Sequence, residues 1–168
     1  MKKIFLLLCL SFLLMMSCAH KSGHHGSDNR NSNRSERKTG KHAKVTMRKE
    51  GGVYLVPIKV NGLKLDFIFD TGASNICLSS AEAMVMIRQG QITENEIVGE
   101  QQFQDATGGV SVGTIVILRN VQIGDIVLEN VEATVVDNIQ APLLLGQTAL
   151  AKFGKVTIDY NNNTIEFN

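Results

Sequence analysis

The chain is short of the side chains on which most hydrolytic enzymes depend. All four histidines (His20, His24, His25 and His42) lie ahead of residue 51, and Cys77 is the only cysteine after it. Ser-His-Asp and Cys-His catalysis both need an imidazole beside the nucleophile, so neither fits residues 51–168. A conventional zinc site draws on several Cys or His ligands and is excluded on the same ground. His20, His24 and His25 could hold a metal ion loosely, but a polar linker explains them more plainly, and no metal site is expected. Cys77 has no partner thiol and reads as a small apolar residue on a strand rather than a nucleophile. Any catalysis in this region must therefore run on carboxylates, lysines or hydroxyls.

A membrane-spanning run is also missing. The apolar stretch at residues 4–16 falls short of the roughly 20 residues that cross a bilayer. Lys2 and Lys3 precede it and Ser17-Cys18 follow it, the pattern of a secretory signal. Met15-Met16-Ser17-Cys18 resembles a bacterial lipobox, in which the cysteine is lipidated and becomes the mature N-terminus. Met15 is tolerated rather than favoured at its place in that motif, and an ordinary signal peptide cut nearby is the alternative. Both readings export the protein. Lipidation at Cys18 would make it a cell-envelope lipoprotein facing the periplasm or the exterior, tied to a membrane by its anchor.

Acidic residues are scarce where basic ones abound. Residues 19–50 carry nine Lys/Arg against Asp28, Glu36 and Glu50, a balance of +6, whereas residues 51–168 balance at −7. The basic stretch is rich in Ser, Asn, Gly and His and nearly free of apolar residues. It therefore reads as a solvated, disordered linker, with binding to nucleic acid or anionic lipid as the less plain alternative. The expected organisation is a signal peptide over residues 1–18, this linker over 19–50, and one domain over 51–168.

What that domain has in plenty is short β-patterned segments. Strands are expected at residues 53–60, 64–70 and 75–78, with Asn61-Gly62 as a hairpin turn between the first two. Ser79-Ser80-Ala81-Glu82 has capping-box spacing before a helix over residues 80–88. Residues 100–105 and 110–117 flank Ala106-Thr107-Gly108-Gly109 as a hairpin with a glycine-containing tip. Further strands are expected at 118–123, 126–129 and 131–136, a helix at 147–152, and a closing hairpin at 156–160 and 164–167. The sum is a small, mostly β, barrel-like domain with one or two short helices.

An apolar strand, Phe67-Ile68-Phe69, runs directly into Asp70-Thr71-Gly72-Ala73-Ser74, and Leu144-Leu145-Gly146-Gln147 follows some seventy residues later. With the intervening glycine-containing hairpin, these elements resemble the retropepsin-like aspartic proteases, the single-lobe group that includes retroviral proteases and bacterial membrane-linked relatives. The similarity covers residues 53–167. It implies a closed barrel of the acid-protease fold and an aspartic endopeptidase needing no cofactor. Asp70 would be the catalytic carboxylate, one of a pair that shares a proton and activates a water. Thr71 would hydrogen-bond across a subunit boundary, Gly72 would let the chain turn tightly, and Ala73 and Ser74 would complete the catalytic loop. Ala106, Thr107, Gly108 and Gly109 would form the tip of a flap over the substrate. Leu144, Leu145 and Gly146 would pack behind the loop as support.

Only one such triplet is present, and a lone carboxylate has no twin. The resemblance therefore implies a homodimer acting on peptide or protein, without nucleic acid, in which two Asp70 side chains meet on a two-fold axis. Ala73 lacks the hydroxyl that two-lobed relatives often carry there, so activity is expected at milder acidity than theirs. Two other readings remain: a catalytically silent peptide-binding or scaffold module of the same fold, and a plain strand-to-turn connection in an unrelated β protein.

Overall fold

In the computed structural model, residues 37–39, 42–104 and 108–168 are described, all within the compact unit Asn33–Asn168. The signal segment, Cys18, most of the basic stretch, and Ala106 and Thr107 lie outside them.

The described elements run β1 (Arg37–Thr39), β2 (Ala43–Thr46), β3 (Arg48–Glu50), β4 (Val53–Val60), β5 (Leu63–Phe69), β6 (Ile76–Ser79), α1 (Ser80–Arg88), β7 (Ile97–Gln104), β8 (Val110–Ile123), β9 (Ile126–Val136), β10 (Leu144–Leu145), α2 (Gln147–Phe153), β11 (Val156–Asp159) and β12 (Thr164–Phe167). Six strands close on themselves. β9 pairs with β6, β6 with β10, β10 with β5, β5 with β4, β4 with β8, and β8 returns to β9. Closure leaves no free edge within this ring and turns alternate residues inward. Val56, Ile58 and Val60 show that alternation on β4, buried beside exposed Pro57 and Lys59. The small, mostly β, barrel-like domain expected from the sequence is therefore present, with two short α-helices among the described residues.

Local chemistry accounts for the joints. Asn61 and Gly62 take φ of 47° and 90°, the positive values that a two-residue hairpin turn requires. The Asn61 side chain then ties the turn to its neighbours: its amide donates to the Gln91 carbonyl at 2.6 Å, and its oxygen accepts from the Asn120 N–H at 2.9 Å. Ser79 caps α1, its hydroxyl accepting from the N–H groups of Ala81 and Glu82 and donating to the Glu82 carboxylate.

Two expectations need correction. The chain was expected to break at Asn130 and near Leu118, yet β8 and β9 are single long strands, in constant register from Gly113↔Val136 to Ile123↔Ile126. Asn130 takes a left-handed φ of 53°, which asparagine tolerates, without ending the strand. The second correction concerns the linker, expected to run to Glu50. Residues 43–50 instead form β2 and β3. β2 pairs with β12 and completes a three-stranded sheet, β11-β12-β2, while β3 pairs with β4. Ala43 and Met47 are buried at 4 % and 3 % exposure, and the Ala43 side chain packs against Gly124. The basic charge of this stretch is partly answered by the domain's acids: Lys44 meets Glu166 at 2.7 Å, and Arg48 meets Asp66 at 2.9 Å.

Candidate active site

The strand order β6-β10-β5 dictates the site. β5 and β6 are consecutive in the chain but are not neighbours, because β10 lies between them. The loop joining them, Asp70 to Asn75, must therefore arch over the end of β10. Asp70 stands at the start of that arch, its backbone held by β10: the Ile68 N–H donates to the Leu143 carbonyl at 2.9 Å, and the Asp70 N–H to the Leu145 carbonyl at 3.3 Å.

Gly146, directly beneath the arch, shows how tight the crossing is. A Cβ there would lie 2.2 Å from the Asn75 carbonyl oxygen and 2.8 Å from that of Ala73. Only glycine fits. Leu145 before it is fully buried and Leu144 partly so, and the Leu-Leu-Gly run lies against the underside of the loop.

The loop is then latched to the start of α2. The N–H groups of Gln147 and Thr148 donate to the carbonyls of Ala73 and Ser74, each at 2.9 Å. The Gln147 side-chain amide donates to the Thr71 carbonyl at 2.5 Å, and the Thr148 hydroxyl to the Asn75 side-chain oxygen at 3.0 Å. These first-turn N–H groups of α2 would otherwise lack partners. Gln147, Thr148 and Asn75 were not among the expected site residues. The signal available for them was two polar side chains placed directly after Leu-Leu-Gly.

Asp70 itself is half-buried, and its Oδ1 accepts the Gly72 N–H at 2.7 Å. A Cβ on Gly72 would approach that oxygen to 3.1 Å. The glycine thus supplies both the turn and an unobstructed donor to the carboxylate. Thr71, Gly72 and Ser74 are exposed and Ala73 is half-buried. With Gln147 and Thr148 they line an open depression of about 350 Å³. A larger groove of about 740 Å³ runs along Pro57, Lys59, Lys64 and Leu65 and includes none of the loop 70–74.

Cys77 lies on β6, opposite Leu144, and is unpaired. Burial pushes its thiol up from the ordinary value, and the negative charge of Asp70 adds to the effect. Both causes keep it protonated, which suits an inert thiol beside the carboxylate rather than a nucleophile.

β7 and β8 form the hairpin expected from the sequence to act as a flap. Its tip at 105–107 falls outside the described residues. Gly108 takes a φ of 88°, and its carbonyl accepts the Gln104 side-chain amide at 3.2 Å. Lower in the hairpin, a Cβ at Gly113 would lie 2.6 Å from a methyl group of Thr134, so this strand packs directly on β9.

Residues 56–152, which include Asp70, the hairpin and the latch, match the model of the family described as "gag-polyprotein putative aspartyl protease". A crystal structure of a retropepsin-like aspartic protease from Rickettsia conorii superposes with a TM-score of 0.57, covering 79 % of this chain and 94 % of that one. At 22 % identity this is a likeness of fold. No curated protein sequence matches the chain.

Proposed function

The chain belongs to the gag-polyprotein aspartyl protease family, and from that premise we propose that it is an aspartic endopeptidase that works as a symmetric homodimer. The observation that carries the reading is the setting of Asp70. One carboxylate stands on a loop that is braced from below by Gly146, latched by Gln147 and Thr148, and open on its outer side. A loop held this firmly around an acid that is left accessible fits a group that must meet a partner in fixed geometry.

The partner in this reading is Asp70 of a second copy. Two carboxylates about 3 Å apart share one proton. The ionised member takes a proton from the attacking water while the protonated member polarises the scissile carbonyl, and the amide nitrogen leaves with a proton. The Gly72 N–H fixes the orientation of each carboxylate, and the exposed Thr71 side chain is free to reach across the two-fold axis. The β7-β8 hairpin would cover the bound peptide and exclude water. We further propose export, with a lipid anchor at Cys18, so that cleavage takes place at a membrane surface.

The test compares the wild type with Asp70→Asn on casein or a peptide library, with and without pepstatin. The expected result is cleavage by the wild type alone, blocked by pepstatin. Equal cleavage by both proteins would overturn the reading.

A further inference from the structure

α1 turns the wrong kind of surface outward. Ala83 and Met86 face the barrel and are buried, but Met84, Val85 and Ile87 are 48 %, 42 % and 51 % exposed. A surface helix ordinarily presents polar residues there. Ile97 and Val98, where β7 begins, are also exposed. Arg119 draws the two segments together, donating to the carbonyls of Gly90 and Gln91 just past α1 and to Glu96 just before β7. Half of the large exposed apolar side chains among the described residues thus fall between Met84 and Val98, and nothing in the barrel or the site uses them.

We propose that this face rests on the lipid bilayer to which the chain is tethered, an inference that depends on the proposed anchor at Cys18. Eighteen residues separate Cys18 from Arg37. Even fully extended they keep the barrel within about 65 Å of the headgroups. The tether joins the barrel at β1, which pairs with β9 at Val127 and Leu128, and α1 packs against that same strand. The junction of tether and barrel is complementary in charge to an anionic leaflet, because residues 19–41 carry six Lys/Arg against Asp28 and Glu36, three of the six at Arg37, Lys38 and Lys41. Arg88 suits the same boundary: its guanidinium bends back to the Met84 sulfur at 3.3 Å, laying its alkyl stem along the apolar face. Exposed Glu94 and Glu100 border the face, so contact is shallow, at headgroup depth.

Docking of this kind would fix how the protease stands on the membrane and which substrates reach it. The chain has no tryptophan, so one introduced residue reports alone. The experiment places Ile87→Trp, and separately Thr157→Trp on the exposed side of β11, in the full chain lipidated at Cys18. Both are reconstituted in phosphatidylcholine–phosphatidylglycerol vesicles with brominated acyl chains. The expected result is a blue shift and several-fold quenching for Ile87→Trp and neither for Thr157→Trp. Adding Met84→Asp and Val85→Asp should abolish the quenching with the circular dichroism unchanged. Equal, weak quenching at both positions while the protein still sediments with vesicles overturns the docking and leaves the tether standing. Loss of Cys18-dependent sedimentation overturns the tether, and the docking falls with it. A blue shift that follows protein concentration without vesicles means that a second copy covers the face, and this too overturns the proposal.

Discussion

At Gly146 the hydrogen atom in place of a side chain decides whether the loop from Asp70 to Asn75 can arch over β10. An added methyl would meet the carbonyl oxygens of Asn75 and Ala73, and both belong to backbone held in place from two sides. Overpacking in a well-packed site costs about 1–3 kcal/mol even where side chains can yield. Gly146→Ala is therefore expected at or beyond the upper end of that range, with activity lost and the melting temperature lowered by roughly ten degrees; calorimetry and a casein assay would check both. Gln147 is the contrasting case. It is exposed, and its amide makes one bond to the Thr71 carbonyl. Losing that bond should cost only about 1 kcal/mol of stability. The loop it steadies, however, must hold Asp70 to within a fraction of an ångström, and small misplacements are amplified in rate. Gln147→Ala should thus lower kcat about tenfold or more with a melting temperature only a few degrees down. A fall in stability with unchanged kcat would contradict the latch.

Among the elements, the strands that pattern alone could find are those whose neighbours are close in sequence. The hairpins β4-β5, β7-β8 and β11-β12 were all legible from alternation and turn residues, as was α1 from its cap. The candidate site's central residues were legible for a different reason, since Asp70-Thr71-Gly72 and Leu144-Leu145-Gly146 stand out by residue identity and not by periodicity. β2 and β3 were not legible. Across residues 43–50 the apolar residues are only Ala43, Val45 and, between the two strands, Met47, and the strands form because β12 and β4 offer them edges. Charge composition pointed to a linker, and tertiary pairing overrode it. The consequence can be measured. A chain beginning at Gly51 would lose buried Ala43 and Met47 and would leave β12 unpaired on one side, with Ile165 and Phe167 losing their cover. Removing one buried Met-sized side chain typically costs about 2–5 kcal/mol, a large share of the roughly 5–15 kcal/mol that stabilises a whole domain. Residues 37–168 should unfold cooperatively in urea, whereas residues 51–168 should show no cooperative transition. If the two midpoints agree, the strands are ornamental and the domain begins at Gly51 after all.

At the scale of the whole molecule, the closed six-stranded ring explains why one chain folds, and the proposed dimer follows from the one Asp-Thr-Gly triplet that the chain carries. If the active species is a dimer with one aspartate from each copy, a subunit carrying Asp70→Asn should inactivate any wild-type subunit it pairs with. The fold of the variant should be undisturbed, because asparagine matches aspartate in shape and can still accept the Gly72 N–H, so the two chains should pair at random. In an equal mixture brought to equilibrium, only about a quarter of the dimers then join two wild-type chains. Activity per total protein should fall to about that fraction. If each chain acted alone, it would fall to half. Dilution gives an independent reading of the same equilibrium: as the dimer dissociates, specific activity should drop with concentration, and a peptide inhibitor bound between the copies should restore the dimer by mass action. Mixing to one half, together with a specific activity indifferent to dilution, would remove the second copy from the mechanism and with it the shared proton.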